Sequence, residues 1–200
     1  MNSVAQQPNS LYRPLEKFDP KDLLWLDGKI TFKNGQTYSH KIAYNQQFDV
    51  VYIDVEGEIK TLNAKMLSGF SFKEPNNELV HVFGAYPEQS PSGYIKERFL
   101  EQLVTGYCHV VRLNVNSSDL KFKVLTNGRI DQTDESEYYF FVNEKLIEIK
   151  RFIRQIYDVF PLTKSDIDQV IEENKLNLKF RPDQLALVLA LNEKMTNRAD

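Results

Sequence analysis

From about Leu24 to Ile149, apolar side chains recur at every second position. Only an extended, pleated chain turns that period into a single apolar face, so this stretch has to fold as β-sheet. Ile30 and Phe32 alternate with Lys29, Thr31 and Lys33. Asn34-Gly35 then supplies the strongest short hairpin signal, and the return arm places Tyr38, His40, Ile42 and Tyr44 on one face. The same reading predicts strands over Phe48 to Ile53, Glu58 to Leu62 beyond a turn at Glu56-Gly57, and Leu67 to Lys73. After a loop at Pro75-Asn76-Asn77, it predicts Leu79 to Phe83. Phe99 to Val104 and Tyr107 to Val115 flank Thr105-Gly106 as a further hairpin, although Phe99, Leu100, Leu103 and Val104 also fit a helical period. Leu120 to Leu125, Tyr138 to Val142 and Leu146 to Ile149 complete the strands, and Ala85 to Tyr94, with two prolines, reads as a mobile surface loop. The run Tyr138-Tyr139-Phe140-Phe141-Val142 is apolar on both phases, which predicts a strand covered from both sides. The 10 Tyr and 13 Phe suit this assignment, because flat rings pack well on a pleated surface.

After Ile149 the period lengthens. Phe152, Ile153, Ile156, Tyr157 and Phe160 form one helical stripe that ends at Pro161. Thr163 or Ser165 can cap a second helix with Ile167, Val170 and Ile171 inward. Pro182 opens a third, from about Asp183 to Met195, apolar nearly all round. Strands first and helices last is an α+β order. The expectation is a mainly antiparallel sheet, as a meander or curled half-barrel, followed by three short C-terminal helices. Residues 1–22 read as an extended lead-in and 23–200 as a single domain, with sheet over about 24–149 and helices over about 150–195. Helices this short need the sheet to cover their apolar faces.

With 42% hydrophobic and 26% charged residues, the chain has the composition of a soluble globular protein. The net charge is −3, and Lys and Arg are mixed with acids rather than gathered in a stripe, which argues against nucleic acid as partner. The longest apolar run, Leu185 to Leu191, is about a third of the ~20 residues that span a bilayer as helix. A single cysteine, Cys108, rules out an internal disulfide and leaves the compartment open. Ser3-Val4-Ala5 has the small-x-small form of a signal-peptidase site without an apolar run before it, the pattern of a chain trimmed near a cleavage point. A plain polar tail reads equally well.

The pattern Asp27-Gly28-Lys29-Ile30, the hairpin at Asn34-Gly35 and the run from Ala64 through Leu67 and Phe70 to Phe72 resemble a group of exported or envelope-associated β-rich proteins of Gram-negative bacteria with no assigned activity. Phe99 to Gly106 is similar to their hairpin, Glu137-Tyr138-Tyr139 to their aromatic strand, and Leu187 to Asn192 to their terminal helix. The resemblance implies a β-rich fold and a periplasmic, outer-membrane-associated or secreted location. A native start at Met1 would instead imply the cytoplasm.

Few residues invite chemistry. His40, His81 and His109 each fall on the apolar phase of a strand and would form a metal site only if those faces converge, since no His-x-His or His-x3-His pair occurs. Imidazoles satisfied by a tyrosine or a carbonyl are the plainer expectation. Cys108 and His109 are strand neighbours, so they point to opposite faces and cannot act as nucleophile and base together. Cys108 is expected to pack as a small apolar residue. Asp131, Asp134, Glu135 and Glu137 suggest a calcium loop but have Ser136 and Val142 where glycine and glutamate belong. Asn116-Ser117-Ser118 fits a glycosylation sequon, and neither a nucleophile elbow nor a phosphate loop is present. No residue is therefore assigned a catalytic, cofactor or metal role. The reading leans to a non-catalytic envelope or secreted module that binds a protein or small-molecule partner. The alternative is a hydrolase whose histidines and carboxylates meet only in the fold.

Overall fold

A computed structural model describes residues 19–74, 79–90, 92–113 and 136–199. After a short 3-10 turn at Pro20–Asp22, the chain forms strands β1 (Leu26–Phe32), β2 (Thr37–Asn45), β3 (Val50–Val55), β4 (Glu58–Asn63), β5 (Leu67–Lys73), β6 (Val80–Gln89), β7 (Ile95–Val104), β8 (His109–Leu113), β9 (Glu137–Val142) and β10 (Lys145–Glu148). Helices α1 (Phe152–Val159), α2 (Lys164–Glu173) and α3 (Arg181–Ala199) follow. The strands make one antiparallel sheet in the order β10-β9-β8-β7-β6-β5-β1-β2-β3-β4, which is not closed into a barrel. The class is α+β, as the periodicity implies. The loop at Pro75-Asn76-Asn77, the strand at Leu120 to Leu125, the sequon, most of the acidic loop and the lead-in up to residue 18 lie outside the described residues.

The sheet has to roll up at one end. β4 is an edge strand, yet the next strand, β5, pairs on the far side of β1. Laid flat, four strand spacings would separate β4 from β5 by about 19 Å. The four Cα steps from Asn63 to Leu67 span at most about 14 Å. Strands β1 to β4 therefore curl back toward β5, and their inner face encloses Leu26, Ile30, Ile42, Val51, Leu62, Leu67, Phe70, Phe83 and Phe99. Phe70 stacks on Phe83 at 4.7 Å, while Tyr44 reaches across from β2 to both rings. Asp49, in the turn between β2 and β3, holds the roll shut, because its carboxylate accepts the Phe99 N–H of β7 at 3.2 and 3.3 Å. Lys33 reaches Glu97 of β7 at 2.7 Å in the same direction.

At the other end the helices cover one face. Phe152, Ile156 and Val159 of α1, Ile167 and Val170 of α2, and Leu187, Val188 and Leu191 of α3 pack on Val104, Cys108, Val110, Phe140 and Val142. Thr163 is the cap of α2, in a reciprocal capping box with Asp166. β9 is covered on both faces: Phe140 meets Phe152 under the helices, while Tyr139 and Phe141 join Tyr86, Leu100 and Val111 on the opposite side.

Two details differ from the sequence reading. Ala85 to Gln89 is not a loop but the second half of β6. Pro87 is tolerated because β5 pairs with β6 only as far as Gly84, leaving that edge of β6 without a β5 partner. The third helix is not short, since it spans 19 residues from Arg181, and Leu189 on it stays half exposed. The Asn34-Gly35 hairpin forms around Lys33, Asn34 and Gly35, with Phe32 N–H donating to the Gln36 carbonyl at 2.8 Å. Phe99 to Val104 is strand, paired on both sides.

Candidate functional site

The three histidines stand on separate strands and do not gather in one cleft. Each finds different company. Alternation sets faces within a strand but says nothing of which faces coincide between strands. His81 on β6 and Arg112 on β8 share the helix-side face, and His109, three residues before Arg112, points to the other.

His81 is buried between two carboxylates. Its Nδ1 lies 2.7 Å from Glu101 Oε1, and its Nε2 lies 2.9 Å from Glu74 Oε1. The other Glu101 oxygen accepts from Arg112 Nε at 3.0 Å and from its terminal nitrogen at 2.6 Å. Burial alone would lower the histidine pKa, but the hydrogen bonds and charges of Glu101 and Glu74 carry it above the ordinary imidazole value. Burial would likewise raise the Glu101 carboxyl, yet His81 and Arg112 hold it below the usual carboxylate range. Both ring nitrogens face carboxylates, and in its doubly protonated form His81 has no lone pair with which to act as a base.

His109 is held on the other face. Gln102 Nε2–H donates to the Tyr86 hydroxyl at 2.7 Å, and that hydroxyl lies within hydrogen-bond distance of His109 Nδ1, at 2.9 Å. Burial pushes the His109 pKa below the ordinary imidazole value, against a backbone hydrogen bond to Gly106. Cys108 is fully buried under the helices, and burial pushes its thiol up to about 12, far from the thiolate that nucleophilic chemistry needs. Glu137, the only member of the acidic loop among the described residues, accepts the Tyr139 hydroxyl. Among the described residues, no three His, Cys, Asp or Glu side chains are placed to hold a metal ion.

His40 is different, because it lines a space. Ile30, Phe32, Gln36, Tyr38, His40 and Ile53 surround an open recess of about 260 Å³ at the rolled end of the sheet. Strand register explains the grouping: Ile30 pairs with Tyr38, and Ile42, two residues beyond His40, pairs with Ile53. Buried Ile30 and Ile53 contribute the apolar base. Tyr38 meets Phe32 edge to face at 5.9 Å and lies tilted beside His40 at 6.5 Å, with 46% of its surface exposed. The polar groups in this lining are the Gln36 amide, the Tyr38 hydroxyl and the His40 imidazole. Such a lining offers apolar area and ring faces with a few hydrogen-bonding groups at hand.

The sequence marks His40 and Tyr38 but not Phe32, Gln36 or Ile53 as their companions, because the grouping depends on how the sheet rolls. No motif marks Glu101 or Arg112. Glu101 shares the phase of Phe99, and Arg112 shares that of Val110 on a strand buried on both faces, where charges come paired.

The chain matches no family model, and no curated protein or solved structure shows significant similarity to it. What the protein does has to be read from the geometry above.

Proposed function

We propose that this protein is a non-catalytic binding module that takes a small, largely apolar, ring-bearing ligand into the recess of Phe32, Tyr38 and His40. The observation that carries this reading is the recess itself, an apolar base under exposed ring faces at the end of a rolled sheet. The recess suits a single ring system better than an extended chain, and the polar groups at Gln36, Tyr38 and His40 would orient it. An envelope or secreted location rests on the resemblance of the turn and aromatic motifs to exported bacterial proteins.

Indole serves as a ring-sized probe. Titrated into the full chain labelled with nitrogen-15, it should shift the amide signals of Ile30, Phe32, Gln36, Tyr38, His40 and Ile53 in a saturable way. Shifts confined to other faces, or none at millimolar indole, would count against the recess as a small-ligand site.

A further inference from the structure

The row of charges through His81 lies along a seam. It starts at Glu74, just past the end of β5, and passes through His81 on β6 and Glu101 on β7 to Arg112 on β8. Tyr138 of β9 pairs directly with Arg112, and Arg181 of α3 lies 4.0 Å over the Tyr138 ring. On one side, Phe72 of the rolled core packs on the His81 ring at 5.3 Å. On the other, β8, β9 and α3 belong to the helix-covered core. We propose that this row is a proton-operated clasp between the two halves of the sheet, closed while His81 carries two N–H protons and loosened when it loses one.

The placement of charge explains why. With an imidazolium, a positive charge sits between Glu74 and Glu101, and every acidic oxygen named above faces a donor. Removal of one proton takes that charge from between the two carboxylates, and one carboxylate oxygen then faces a nitrogen lone pair. His81, Glu74 and Glu101 have side chains only 6%, 10% and 6% exposed, so water screens little of that repulsion. The histidine pKa is higher in the fold than free. Its stabilisation is therefore complete below the ordinary imidazole value and is lost as pH rises through the raised one. Two other groups titrate away from this window: burial pushes the His109 pKa below the ordinary imidazole value, and the Cys108 thiol titrates only near 12.

Nitrogen-15 spectra of the imidazoles in the full chain test the protonation state. At about pH 6 the His81 ring should show two protonated nitrogens, losing one only above the ordinary imidazole range. Hydrogen exchange tests the clasp. Amides of β5 through β8, corrected for base catalysis, should open more often between about pH 6 and about pH 9, tenfold for each unit by which the folded pKa exceeds the free one. His81→Gln should abolish that dependence. A His81 ring with a single N–H at about pH 6 overturns the proposal, and so does an undiminished pH dependence in His81→Gln. Should the variant not fold, the imidazole spectrum of the native chain decides alone.

Discussion

Asn192 on α3 takes both backbone polar groups of Cys108: its Oδ1 accepts the Cys108 N–H at 2.9 Å, and its Nδ2 donates to the Cys108 carbonyl at 2.9 Å. The same amide also donates to the Thr105 carbonyl at 3.2 Å. A single buried side chain thus satisfies the turn between β7 and β8, where no strand partner is at hand. Gly106 belongs to the arrangement, since a Cβ there would lie 2.6 Å from the Asn192 side chain.

Asn192→Ala should therefore cost about 2–4 kcal/mol, the result of leaving buried backbone groups without partners. Asn192→Asp should be worse at neutral pH, because a carboxylate would face two carbonyl oxygens. It should recover partly in acid, where the protonated group can donate again. Urea denaturation of both variants at two pH values checks this. Equal stability of Asn192→Asp at both would contradict it.

Asp49 offers a contrast in which the charge is dispensable. Burial raises its carboxyl pKa, against the pull of the Phe99 N–H, the Tyr44 hydroxyl, Arg98 and Lys96. A folded pKa above the free value means that the carboxyl's contribution is full at low pH and falls as pH rises through the folded value. Asparagine keeps an acceptor for Phe99 and tolerates the positive φ of 54° at this position. Asp49→Asn should stay within about 1 kcal/mol of the native chain at neutral pH, whereas Asp49→Ala should lose about 1–3 kcal/mol through the orphaned N–H. Matched losses in the two variants would show that the charge, not the acceptor, closes the roll.

Glu101 is the charge that cannot be spared. Glu101→Gln leaves Arg112 and the His81 imidazolium facing a neutral amide inside the sheet, and should destabilise by about 3–5 kcal/mol. Thermal denaturation measures this, and a loss below about 1 kcal/mol would mean that the row is more solvated than its burial implies.

Cys108 should resist iodoacetamide in the native chain and react only as fast as the protein opens, since its thiol is buried and titrates near 12. Labelling followed by mass spectrometry across a denaturant series checks this. Rapid modification without denaturant would contradict it.

Much of the sheet was legible because pairing and burial act on alternate residues. Ile42 and Tyr44, Phe70 and Phe72, and Phe140 and Val142 fall inward together as their spacing requires. A cap at Thr163 or Ser165, of which Thr163 is the one used, and the turns at Asn34-Gly35 and Glu56-Gly57 were legible for local reasons of backbone geometry. Legibility failed where a long-range fact decided the outcome. Pro87 looks like a loop residue until the early end of β5 frees that edge of β6. The partners of His81 lie 7 and 20 residues away, so alternation could place the ring inward but could not name them. The recess arises from the roll, which follows from the short step between β4 and β5 rather than from any motif.

The recess is tested most directly by isothermal titration of indole into the native chain and into Tyr38→Ala. Tyr38 is half exposed, edge to face with Phe32 and tilted beside His40, so its removal strips a ring wall while sparing the buried base. The native chain should bind with one saturable site, and the variant about tenfold more weakly, the equivalent of one lost ring contact. Equal affinity in the two proteins, or no heat of binding in either, would contradict a ligand site at this end of the sheet.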